Sequence, residues 1–352
     1  MKNLKLNETP IRTSRNFNIN NIKIENLNIP QKKEHFKNIT ITGENPKVEN
    51  DTSEIKLQYG LGEILTNQVK TQANQKLKLT IENKQNKETQ IEFQFDNENK
   101  TLIEDIEIIA EENTKSTIII KYVSDEENQA YHNGILRVNA KKGSKVNLII
   151  VNLMNIKSNN FIAIQNTFEE NSKIKYTIID FGGKNSITNY YSNLLGEKAE
   201  NSINTIYLGK ENQLFDLNYI GELRGEKTNI NIEVQGALNG DSKKHFKGTI
   251  DFKKGCKKAT GNENEACMLL SNTAKSKALP MLLCSEEDVE GNHSTSAGKI
   301  GEKELFYIMS RGFELKEAMK LMVRARFNKI LGNVDNEDLR ELILDEIDSR
   351  LD

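Results

Sequence analysis

Between Ser53 and Leu283 the chain is a succession of short apolar runs broken by Asn, Gly, Lys and Glu, which limits the folds open to it. Leu77–Ile81, Ile91–Phe95, Ile103–Ile109, Thr117–Tyr122, Val146–Leu153, Ile174–Ile179, Ile203–Leu208 and Ile230–Val234 each hold β-branched or aromatic residues at period two. Side chains alternate between the two faces of a strand, so these runs predict strands with one buried face. No long segment of 3.6-residue period interrupts them, which excludes a parallel sheet built from strand–helix–strand units. A sandwich, a barrel or a solenoid remains.

Turn chemistry favours the solenoid. Asn-Gly hairpin dipeptides are scarce, Asn133-Gly134 and Asn239-Gly240 being the clear ones, whereas antiparallel folds use many. Polar linkers such as Glu111–Lys115 and Glu169–Ser172 suit coil corners, where each strand stacks on its counterpart one coil later. No strict sequence repeat accompanies them.

The flanks differ. Residues 1–52 are polar and Asn-rich with apolar islands at Ile19–Ile24 and Ile39–Ile41, an arm that packs on other structure or stays partly disordered. Residues 53–290 form the β core and 291–352 a helical segment. Leu305, Phe306, Ile308 and Met309 begin that segment, with Gly312 as its first stop. Leu315, Ala318, Met319, Met322, Val323, Phe327 and Ile330 follow at helical spacing. Asp335 is expected to cap a last helix carrying Leu339, Leu342, Ile343, Ile347 and Leu351. Three short helices cannot bury these faces alone, so they pack on the β body, on a partner, or on both.

Composition narrows function. The 352 residues carry a formal net charge of −2, which gives no field to steer the chain onto nucleic acid. No apolar run is long enough to span a membrane, and the N-terminus lacks the apolar stretch of a secretory signal. Cys256, Cys267 and Cys284 are odd in number and not closely paired, which argues for a reducing, cytoplasmic setting. The cluster Lys243, Lys244, Lys247, Lys253, Lys254, Lys257 and Lys258 reads as a solvated face.

Enzyme signatures are missing. There is no P-loop, so no nucleotide is expected on this chain, and no Gly-x-Gly-x-x-Gly, nucleophile elbow or His-Glu-x-x-His. No set of convergent carboxylates on one strand face proposes a carbohydrate-active site. What remains is Cys267, Cys284 and His293 near the β-to-α junction, with Glu265, Glu286, Glu287, Asp288 and Glu290 close in sequence. Thiolate and imidazole together suit iron, iron–sulfur clusters or zinc, and their spacing fits ligation shared with a second chain. Cys267 and Cys284 sit in apolar strands, where a small buried thiol is commonplace. His293 is expected in a polar, Gly-flanked loop, where core packing does not account for it.

The run Phe246-x-Gly248-x-Ile250, Ala259-x-Gly261, Leu269-Leu270-Ser271, Leu279-Pro280, Asp288-Val289, His293 and Leu305-Phe306-Tyr307-x-x-Ser310-Arg311-Gly312 resembles the C-terminal half of SufB/SufD proteins. These are scaffold subunits of the SUF iron–sulfur cluster assembly system. The N-terminal P-I-R-T-S-R-N-F-N-I-N-N-I, with Pro10, Thr13 and Asn20, is similar to the start of short members. The resemblance implies a mainly β fold, a right-handed parallel β-helix core with a C-terminal α-helical segment.

It also implies a non-enzymatic scaffold that pairs with a SufB/SufD-type paralogue or with itself and recruits the SufC ATPase. The dock would comprise Leu305, Phe306, Tyr307, Arg311 and Gly312. A transient Fe–S cluster would be shared with the partner subunit at His293. The cysteine expected two residues before that histidine is Gly291, and the SufB scaffold cysteine falls at Glu265. Cys267 lies two residues later, on the same strand face. The acidic pair flanking the histidine in SufB is Asn292 and Ser294 here, so the chain resembles SufD, or a short divergent member, more than SufB. The competing expectation is a structural β-solenoid adaptor with no metal role.

Overall fold

The computed structural model describes residues 2–13, 17–31, 34–43 and 47–352. Residues 14–16 of the N-terminal match lie outside the described residues. The chain opens with β1 (Lys2–Leu6) and β2 (Ile22–Leu27), an antiparallel pair. Next come β3 (Ile39–Gly43), β4 (Lys47–Glu49) and a helix, α1 (Glu63–Gln72).

Sixteen further strands then wind the solenoid. They begin with β5 (Gln75–Ile81), β6 (Lys87–Phe95), β7 (Thr101–Ala110) and β8 (Lys115–Ser124). β9 (Tyr131–Ala140), β10 (Lys145–Leu153), β11 (Asn159–Phe168) and β12 (Lys173–Asp180) follow. Next are β13 (Asn185–Leu194), β14 (Glu200–Gly209), β15 (Leu214–Leu223) and β16 (Asn229–Leu238). The last four are β17 (Lys243–Phe252), β18 (Ala259–Leu269), β19 (Lys275–Cys284) and β20 (Val289–Lys299). Even-numbered strands from β6 to β20 stack in parallel as one sheet, closed at its start by antiparallel β3. Odd-numbered strands from β5 to β19 form the other, closed by antiparallel β4.

Strictly parallel sheets need both faces covered. The inward faces meet in a core of Ile118, Ile120, Leu148, Ile150, Tyr176, Ile203, Leu217, Ile232 and Phe246, among others. The expected corners are corners: Asn113 and Asn171 sit there at φ 58° and 55°, the left-handed conformation that Asn tolerates. Outside the odd sheet, Leu4, Leu6, Ile22, Ile24, Leu65 and Val69 of the hairpin and α1 pack on Ile103, Ile135, Phe161 and Ile187. The helix α1 was not expected: it precedes the parallel strands and its apolar contribution is confined to Leu65 and Val69.

Outside the even sheet lie α3 (Leu315–Leu331) and α4 (Glu337–Leu351), which follow α2 (Glu302–Met309). Val323, Phe327, Ile330, Ile343 and Ile347 cover Ile149, Val151, Ile179 and Ile206. Glu314 and Glu317 make a capping box that starts α3. The cap of α4 is Asn336, one residue after the expected Asp335, with its side chain accepting from the Leu339 N–H at 3.0 Å. Arg324 fixes α3 to α4 by a fork onto Asp348, Nε to Oδ1 at 2.7 Å and a terminal nitrogen to Oδ2 at 2.6 Å. α2 buries none of its residues. It stops at Met309, and Gly312 turns the chain toward α3 at φ 101°.

Candidate functional site

The solenoid ends on β19 and β20, with no coil stacked beyond them among the described residues. His293 therefore lies in a strand, not the expected loop. The polar run Val289–Lys299 is strand because β18 supplies a parallel ladder for its backbone, although its side chains are almost all exposed. Asn292 and Ser294 bond outward onto Asn262 at 3.1 Å and Asn264 at 2.7 Å. Alternation puts His293 on the opposite, inward side, as the Cα partner of Glu263.

Beneath it is a polar cluster inside the solenoid. Gly261, Glu263, Glu265 and Cys267 occupy successive inward positions of β18, and the last three are buried. Lys244, on the inward face of β17, is fully buried and places Nζ 2.6 Å from Glu265 Oε1. The Tyr207 hydroxyl donates to the same oxygen at 3.2 Å. Lys244 Nζ also donates to the Lys277 carbonyl and lies 5.9 Å from the centroids of the Tyr207 and Phe246 rings. Tyr207 can lie here because residue 236 is glycine, where a Cβ would come 1.8 Å from its ring.

Glu263 is different. Neither of its buried carboxylate oxygens has a hydrogen-bond partner among the described residues. Burial, and then the charge of Glu265, push its carboxyl up to about 8. Burial also raises the Cys267 thiol above its ordinary range, against the opposing pull of Lys244.

The four residues expected to ligate do not all meet. Glu265 and Cys267 share the inward face as expected, and their Cα partners on β20 are Thr295 and Ala297, neighbours of His293 on the same side. Cys284 stands apart. It ends β19 at the opposite corner of the coil, exposed and not buried, with its thiol donating to the Glu286 carbonyl at 2.9 Å. Among the described residues, no three of His, Cys, Asp and Glu converge to hold a metal ion.

Two expectations are corrected here. Lys244 and Lys247 are not solvated: Lys247 sits under the N-terminal segment, 2.6 Å from Asp216 and 2.9 Å from the Asn7 carbonyl. Glu263 and Glu265 do share a strand face, but they are sealed inside the coil. The period-two rule applied to G-N-E-N-E-A-C would have found Glu263. Lys244 needed the register of β17 against its neighbours.

The expected docking residues are largely in solvent. Phe306 is 74% exposed and Tyr307 56%, on a helix none of whose residues is buried. Arg311 stacks on the Tyr307 ring at 4.7 Å and donates to its hydroxyl at 2.5 Å.

Two parallel sheets wound into a solenoid, with the C-terminal helices α3 and α4 folded on the even sheet and a polar, uncovered last coil, define the structural class. Residues 93–326 match the family model for the SUF system FeS cluster assembly SufBD core domain. The chain belongs to the SufB/SufD family of iron–sulfur cluster assembly proteins. It is 23% identical over 180 residues to the iron–sulfur cluster assembly protein SufD of Bacillus subtilis, 51% of this chain and 41% of that one. A SufBD family protein of Pyrococcus horikoshii is 29% identical over 175 residues, 49% of this chain and 38% of the relative. One from Antithamnion is 28% identical over 171 residues, 47% and 56% respectively. The chain thus spans roughly half or less of the length of these relatives. No helix among the described residues is long and apolar enough to cross a membrane.

Proposed function

We propose that the chain is a non-enzymatic scaffold subunit of a cytoplasmic iron–sulfur cluster assembly complex. It pairs through its last coil with a second SufB/SufD-type subunit, a paralogue or another copy, and recruits a SufC-type ATPase through α2 and the start of α3. The observation that carries the reading is the uncovered end of the solenoid. There the inward side of β20 presents His293 to solvent directly above buried Glu263, Glu265 and Cys267. A second subunit stacked on β20 would pair its open edge and bring further ligands to His293. Among the described residues too few donors converge, so a transient cluster would be cargo shared across that interface, with Cys267 and Glu265 behind it and Cys284 at the far corner.

ATP bound by the partner would supply the work of opening the pair. The test is anaerobic reconstitution with iron and sulfide, read by visible absorption. Absorption is expected only when a SufB-like subunit is added, and is expected to fall in His293→Ala. An unchanged spectrum in that variant would favour a structural adaptor without a metal role.

A further inference from the structure

The outer face of the even sheet is only half covered. Where α3 and α4 end, the first residues of β8, β10, β12 and β14 remain open and form a groove of 560 Å³, walled on one side by Asp335 at the α3–α4 corner. Parallel register stacks Lys115, Lys145 and Lys173 as Cα partners in one row across its floor. Thr117, Asn147, Lys175 and Ser202 make the next row in.

Parallel neighbours are about 4.8 Å apart, so three ammonium groups line up over roughly 10 Å. Stacked like charges repel and destabilise the sheet unless an anion lies among them. Only Lys173 has one, Glu200 at 2.6 Å. Lys115, Lys145 and Lys175 have no carboxylate partner among the described residues, and the groove holds four lysines against Glu200 and Asp335. A second observation lies on the floor: Oδ1 of Asn147 is buried with no hydrogen-bond partner. With that oxygen turned into the protein, the Nδ2 end of the amide is the one that lines the groove and can donate to a bound oxygen.

We propose that this groove binds a small oligophosphate, the phosphate chain lying along Lys115, Lys145 and Lys173 with Asn147 beneath it. A groove of this volume suits a small ligand, and three charges in a closed row are too few to track a nucleic acid. The missing P-loop does not bear on this, because a row of ammonium groups binds phosphate without a glycine loop.

Calorimetric titration of the full chain with tripolyphosphate, at low and raised salt, tests it. Binding that weakens with salt is expected, with a loss of at least about tenfold in Lys115→Gln/Lys145→Gln. The control is Lys243→Gln/Lys275→Gln, which removes an exposed register pair of the odd sheet that does not line this groove and is expected to bind as the parent does. ATP binding as tightly as tripolyphosphate assigns recognition to the phosphate chain alone, and tighter ATP binding assigns it to a nucleotide source. Equal losses in the two double variants, no heat with tripolyphosphate, or preference for a single-stranded oligonucleotide would each overturn the proposal.

Discussion

Two of the polar clusters that the solenoid carries into its interior are finished differently. In the middle, the Tyr122 hydroxyl donates to Glu104, and Glu104 lies 3.1 Å from one ring nitrogen of His132. The other ring nitrogen is 2.6 Å from Asn160, which donates to Ser186 at 3.0 Å. Ser186 in turn donates to Asp180 on the facing sheet at 2.8 Å, and so does Asn152, the register partner of Asp180 on β10. The string crosses four coils and has a covered coil on either side. At the end, Lys244, Glu265 and Tyr207 satisfy one another, but Glu263 is left with two bare oxygens. In the middle string one oxygen, Oε2 of Glu104, also lacks a partner, but the other oxygen of that carboxylate is bonded, whereas Glu263 has neither bonded. Glu263 lies on β18, one coil in from the end, and its register partner on the last coil is exposed His293, which makes no bond to it. On the proposed pairing, that unmet requirement lies beneath the surface a second subunit would cover.

The largest effect should come from breaking the satisfied part of the end cluster. Lys244→Ala or Glu265→Ala leaves the other charge buried and unpaired, and each is expected to cost about 3–5 kcal/mol in urea unfolding. The apolar double variant Lys244→Met/Glu265→Leu should cost less than either single change. The exposed pair Lys142–Glu170, 2.8 Å apart, is the reference for a solvated bridge, and its loss should be far smaller. Losses no larger than that at Lys244 would show that the end coil admits water and is not the closed cluster described.

Next in size is the unsatisfied part. With its carboxyl raised to about 8, Glu263 keeps a proton in the folded chain that the unfolded chain gives up above about 4.5. Its contribution is therefore fully present below about 4.5 and is lost as pH rises through 8. Asp180, raised by burial to about 6, acts in the same sense but has finished titrating lower on the scale. Between pH 6.5 and 9 the stability of the parent should fall by an amount on the order of a few kcal/mol. Glu263→Gln, neutral throughout, should flatten that slope. Parallel slopes for parent and variant would place the Glu263 carboxylate in contact with solvent or a counter-charge.

The two places also differ in how far the sequence revealed them. The Ile-rich even strands were legible because both their faces are apolar, one toward the core and one toward α3 and α4. Strands β9, β11, β13 and β15 were not, since their outward faces bury Asn and charged residues under the N-terminal segment. Asn133 donates there to the Leu65 carbonyl at 2.9 Å, Asn189 to Asn7 at 2.9 Å, and Arg137 forks onto Asp105. Such polarity looks like loop until its partners, dozens to hundreds of residues away, are in place. β20 was hidden for the opposite reason, having no cover at all. The shared face of Glu265 and Cys267 followed from alternation alone. The burial of Lys244 and Lys247 did not, because each pairs with a carboxylate on a neighbouring strand.

The smallest effect on stability, and the clearest on assembly, is expected on α2. Phe306 lies in solvent, so Phe306→Asp removes little packing and should move the unfolding midpoint by no more than about 0.5 kcal/mol in stability. On the docking reading, the same change puts a carboxylate at the centre of an apolar contact with the ATPase, where a buried unpaired charge costs several kcal/mol and capture of the ATPase should be lost. Lys142→Gln, an exposed change far from α2, should leave both measurements alone. A Phe306→Asp chain that still retains a SufC-type ATPase would move the dock away from α2. One that unfolds at markedly lower urea would show that α2 packs on the solenoid after all.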